Sequence, residues 1–155
     1  MKTPFNFTAS LGVNLFLITA LALSPSVRAL AQCKGFVKKQ IPRLSPFIHN
    51  GQINSSVLLS GDHAELTLTF YAGQTYRIMV ATQEELGKTY FVMRDANKTQ
   101  LFSSKDQGKL DHWDFTAEST QQFTVEVVIP DNEASSGLVP SGCVSVLVGF
   151  KQQGN

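Results

Sequence analysis

Glu65-Leu66-Thr67-Leu68-Thr69-Phe70 is the stretch whose reading decides the fold. Leu66, Leu68 and Phe70 fall on one side and Glu65, Thr67 and Thr69 on the other, the period-two pattern of a strand with one face buried. Residues 75–81 repeat it, with Tyr76, Ile78 and Val80 inward, and Gly73 in the short link suits a tight connection, so the two segments are expected to form a β-hairpin. Working outward, the same alternation marks residues 90–94, 99–102 and 112–116, then residues 122–129 with Phe123, Val125, Val127 and Ile129 inward. Pro130 ends that run, because proline cannot extend a central strand. Residues 143–150 place Val144, Val146, Val148 and Phe150 on a buried side, and residues 52–59 form a weaker strand. The only candidate helix is short and N-terminal, residues 34–41, with Phe36, Val37 and Ile41 on one face and Pro42 behind it. Seven or eight closely spaced strands with no helices between them predict an all-β fold, an antiparallel, jelly-roll-like β-sandwich.

The start of the chain carries a different message. Lys2 precedes an uncharged apolar run, and Ala29-Leu30-Ala31 places small residues at a cleavage site, so residues 1–31 read as a signal peptide cut before Gln32. A spanning helix needs about 20 apolar residues, more than this run supplies. Leu30-Ala31-Gln32-Cys33 resembles a lipobox, but Gln32 stands where a small residue belongs, and cleavage one residue upstream is better formed. Residues 32–155 then form a single domain that matures in the periplasm or outside the cell. Cys33 and Cys143, the only two cysteines, are expected to pair there.

Thirteen basic residues stand against twelve acidic ones, and losing Lys2 and Arg28 with the leader leaves the remainder one charge to the acidic side. That balance argues against nucleic acid as a partner. Lys34, Lys38, Lys39 and Arg43 form a small basic cluster, read as the solvated side of the helix.

Residues 64–78, with their strand, Gly-Gln-Thr-Tyr turn and second strand, followed by Phe91-Val92-Met93-Arg94-Asp95-Ala96-Asn97, resemble the pre-peptidase C-terminal-like domains of bacterial secreted proteins. The resemblance spans roughly residues 61–151 and implies an accessory or binding module rather than a catalyst.

Motifs for chemistry are sparse. His49, His63 and His112 lack the spacing of a metal site, and no Cys-x-x-Cys joins them. Ser136-Gly137-Leu138-Val139-Pro140-Ser141-Gly142 does not match a serine nucleophile turn. No cofactor is expected, apart from a candidate calcium loop set of Asp95, Asn97, Asp106, Asp111 and Asp114, whose oxygens could converge from separate loops. Trp113 beside acidic residues is a candidate for stacking on a sugar or peptide, although a lone Trp in a sandwich strand more often fills the core. Asn54-Ser55-Ser56 and Asn97-Lys98-Thr99 are formal glycosylation sequons. The resulting expectation is a non-enzymatic module that binds a protein or glycan through loops at one end of the sandwich, near residues 131–142 or 106–111. The alternatives are a hydrolytic or metal-dependent enzyme assembled from separate loops, and a structural subunit of an envelope assembly.

Overall fold

Backbone pairing sorts the alternating segments into two antiparallel sheets. In the computed structural model, residues 27–108, 110–131 and 137–151 are described, with side chains from residue 33 onward. The strands are β1 (Ile48–His49), β2 (Asn54–Leu59), β3 (His63–Phe70), β4 (Thr75–Thr82), β5 (Tyr90–Arg94), β6 (Gln100–Ser103), β7 (His112–Thr116), β8 (Gln121–Val128) and β9 (Ser141–Phe150). One sheet has the order β1-β9-β4-β7, with β2 also paired to β9, and the other has the order β3-β8-β5-β6. This is a jelly roll with a two-residue strand added at its start.

From β2 onward, among the described residues, the β5–β6 connection alone stays within a sheet and every other link crosses from one layer to the other. The hairpin expected of residues 65–70 and 75–81 is therefore corrected. β3 pairs with β8, whereas β4 pairs with β7 and β9. Residues 71–74 form an arch between the sheets, and its backbone groups are satisfied by the neighbouring β7–β8 arch. Gly73 N–H donates to the Ala117 carbonyl at 2.7 Å, Ala117 N–H donates to Gln74 at 3.0 Å, and Ala72 N–H donates to Thr120 Oγ1 at 3.1 Å. Gly73 has φ +77°, a backbone that a side chain would strain. A period of two names the buried face but not the partner strand, and Phe70 and Tyr76 point into one core from opposite layers.

Between the layers Phe70, Tyr76, Ile78, Phe91, Met93, Phe123 and Val125 are buried. Phe70 anchors an aromatic cluster, with ring centroids 5.0 Å from Tyr76, 5.1 Å from Phe115 and 5.4 Å from Phe123.

The helix also differs from expectation. Instead of residues 34–41, α1 spans Val27–Gln40 and passes into a 3-10 turn at Ile41–Leu44. Pro42 sits in the first turn of that 3-10 segment, where a missing N–H leaves no hydrogen bond unmade. The leader expected at residues 1–31 lies outside the described residues, apart from residues 27–31 at the start of α1.

α1 explains why β9 is buried on both faces. Val144, Val146 and Val148 enter the main core. Leu147, on the opposite face, joins Met79, Val37 and Leu44 in a second core under the helix. Cys33 and Cys143 form a disulfide across 110 residues of sequence, fastening α1 to β9. The Cys33 sulfur is thereby committed, which leaves no atom for the lipid that a lipobox would attach. Arg77, on this same outer face, donates from Nε and Nη2 to the two oxygens of Asp114, each at 2.7 Å. Those bonds, opposed by partial burial, raise the pKa of its guanidinium above the ordinary arginine value.

Gly149 lets the chain behind the 3-10 turn approach the sheet. A Cβ there would stand 2.8 Å from the Cβ of Phe47. Gly149→Ala is expected to cost about 1–3 kcal/mol, since neither backbone can retreat freely. Urea unfolding with an unchanged slope and a lowered midpoint would report it.

Candidate cleft between the sheets

The residues singled out in the sequence scatter. Asp95 and Asn97 lie in the β5–β6 turn, where Asp95 Oδ1 accepts from the N–H groups of Asn97 at 2.9 Å and Thr99 at 2.8 Å. Asp106 and Asp111 lie in the β6–β7 connection, at the opposite end of the sandwich. Asp111 forms an ion pair with Arg43 and bonds His112 Nδ1 at 2.8 Å, while Asp114 is held by Arg77. The five residues of the candidate calcium set are not brought together: they stand at opposite ends and on an outer face, three of them occupied as caps or ion-pair partners. Among the described residues no group of three or more His, Cys, Asp and Glu side chains converges. His49, His63 and His112 fall on three different strands, β1, β3 and β7.

Trp113 is half-buried and packs against the main core. Its ring stacks on Phe115 at 4.5 Å and on Phe102 at 5.4 Å, closing the side of the sandwich between β6 and β7. Lys34, Lys38 and Lys39 are exposed, and Arg43 is drawn to Asp111 and Gln40. Of the two sequons, Asn54 has its amide nitrogen buried with no hydrogen-bond partner, while Asn97 is exposed. A glycan on Asn54 would have to lie between the sheets.

The opposite side, between β2 and β3, is open. The two strands leave a tight turn in which Leu59 N–H donates to Asp62 Oδ2 at 2.8 Å and Asp62 N–H to the Leu59 carbonyl at 3.1 Å. Beyond it β2 joins one sheet and β3 the other. Register with Val146, Val144 and Gly142 turns Asn54, Ser56 and Leu58 toward the interior. Ser56 is too short to fill the space that a larger residue would close, and Ala64 on β3 is equally small. A recess of about 320 Å³ results, lined by Ser56, Leu58, Ala64 and Leu66 and floored by Val125 and Val146. Toward the other end it widens to about 1140 Å³ between Asn50, Gln52 and Ile53 on one wall and Leu68 and Tyr71 on the other. Ile53 is 46% exposed and Tyr71 64% exposed on its rim.

The cleft thus has an apolar floor, a rim of amides and hydroxyls with the carboxylate of Glu65 beside the recess, and no assembled acid–base pair among its described residues. Of the two segments expected to bind, residues 131–142 and 106–111, the first meets the turn from which the recess opens, where Ser60 N–H donates to the Pro140 carbonyl at 2.9 Å, and the second lies on the far side of the sandwich, between β6 and β7. One signal in the sequence pointed to it. Asn54-Ser55-Ser56-Val57-Leu58-Leu59 breaks strict alternation and puts polar side chains on a core-facing register.

No family model and no curated protein sequence matches this chain. Solved structures that are similar in part include two periplasmic proteins. Aeromonas hydrophila PliG, a periplasmic lysozyme inhibitor of g-type lysozyme, is 13% identical, with 64% of this chain and 85% of that one covered and a TM-score of 0.46. Salmonella Typhimurium PliG, a periplasmic lysozyme inhibitor of g-type lysozyme, is 17% identical, with 64% and 86% covered and a TM-score of 0.39. At that distance neither structure bears on what this chain does.

Proposed function

We propose that this chain is an exported, non-enzymatic binding module that takes a protein partner in the cleft between β2 and β3. The observation that carries the proposal is the cleft itself, an opening into the apolar interior along the side between β2 and β3. Export is supported by the leader pattern of residues 1–31 and by a disulfide of the kind that persists in oxidising compartments. The resemblance to pre-peptidase C-terminal-like domains points toward an accessory module as well.

Ser56→Trp is the direct test, because an indole there fills the recess without touching the buried strands beneath. The mature protein and this variant are compared by pull-down from the envelope and culture fluid of the source organism. A partner bound at least about tenfold less by Ser56→Trp, with melting unchanged, supports the assignment. Loss of that partner in Asp106→Ala instead, with Ser56→Trp unaffected, moves the site to the β6–β7 side and overturns it.

A glycan is the second reading, favoured by Asn50, Gln52 and Gln74 on the rim and by the exposed ring of Tyr71. Glycan-array binding that Tyr71→Ala abolishes would select it.

A further inference from the structure

β3 is an eight-residue strand at the edge of its sheet, paired on one side with β8 alone. The register fixes which backbone groups are free. Ile129 N–H donates to the Asp62 carbonyl at 2.8 Å, so residues of even number on β3 turn their N–H and C=O toward β8. His63, Glu65, Thr67 and Thr69 direct theirs outward. The other edges are shorter: β6 has four residues, β7 five and β2 six. Glu65 is the one charged side chain on β3, which has no proline, no lysine and no shift of register to guard its exposed edge.

Charge says what kind of strand would fit. Glu65 stands directly opposite Glu126, a like-charge pair of the kind that weakens a sheet. Arg94 reaches Glu126 at 3.4 Å, and Glu65 itself has no ion pair among the described residues. A strand laid along β3 with a lysine or arginine facing Glu65 would supply the missing cation. Its alternate side chains would descend beside Leu66 and Leu68 toward the exposed Ile53.

We infer that the partner of this cleft docks by strand addition: an extended polypeptide segment pairs with β3, apolar at its inward positions and basic at the outward position beside Glu65. The inference rests on the cleft being the binding site. A second copy of this chain fits less well, because its own β3 offers no lysine or arginine.

The probe is a capped peptide, Thr-Val-Thr-Val-Lys-Val-Thr-Val-Thr, titrated into the full mature protein with its disulfide intact and read by fluorescence anisotropy and amide hydrogen exchange. Binding is expected to slow exchange at His63, Glu65, Thr67 and Thr69. It should disappear when the peptide is N-methylated at its Thr and Lys amides. Thr67→Pro removes an outward N–H and no bond to β8, so it should abolish binding while the fold persists. Replacing the peptide lysine by glutamate should weaken binding about fivefold, and Glu65→Lys should reverse that preference.

Equal binding of the N-methylated peptide overturns the inference. So does protection at Thr67 and Thr69 in concentrated protein alone together with a doubled mass by light scattering, which would assign the edge to a second copy. If the natural partner is lost in Ser56→Trp but kept in Thr67→Pro, the cleft stands and strand addition falls; if it survives both, neither stands.

Discussion

Cys143→Ala is expected to lower the stability of the mature domain by about 4 kcal/mol, the chain-entropy value for releasing a loop of this length. For a domain of this size that corresponds to a fall in melting temperature of roughly 15 °C. Two contributions act together. The unfolded chain regains freedom across the sequence separation of 110 between the cysteines, and α1 loses its covalent hold on β9. The second core, Val37, Leu44, Met79 and Leu147, then depends on packing alone. Cys33→Ala should cost the same, and the double replacement no more than either, because all three remove one bond. A calorimetric loss below about 1 kcal/mol in either single variant would mean that the helix holds its place without the bridge. Protein produced in a reducing cytosol should show the same deficit, reversed on oxidation.

Phe70→Ala is expected to cost about 4 kcal/mol. Its ring is 1% exposed and touches Tyr76, Phe115 and Phe123, aromatic side chains from three other strands in both sheets. Deleting it leaves a cavity that these rigid rings cannot collapse to fill. The neighbouring residue provides the control. Tyr71 is 64% exposed, so Tyr71→Ala should stay within about 0.5 kcal/mol. Denaturant unfolding of the two variants side by side tests the register of β3, since a slip of one residue would exchange their effects.

The cleft shows where sequence reasoning stops short. Alternation in residues 65–70 and 122–129 located strands whose buried faces match the structure residue by residue. It could not say that β3 and β4 belong to different sheets, because a hairpin and an arch demand the same inward positions. The cleft depends on that distinction. Had β3 paired with β4, its edge would be occupied and no opening would exist beside β2. The candidate ligand set is dispersed for a related reason. Asp111 and Asp114 are close in sequence, but each is drawn off by an arginine from a distant segment, Arg43 and Arg77.

What the sequence by itself determined was an all-β domain, the inward face of its strictly alternating strands, and two cysteines placed to be joined. Those properties follow from local periodicity and from residue chemistry, which need no knowledge of neighbours. Only the tertiary structure decided the jelly-roll order, the second core beneath α1, and the open side between β2 and β3. Each of these is a relation between segments far apart in the chain, set by which apolar surfaces fill shared space best, and no window of sequence contains it.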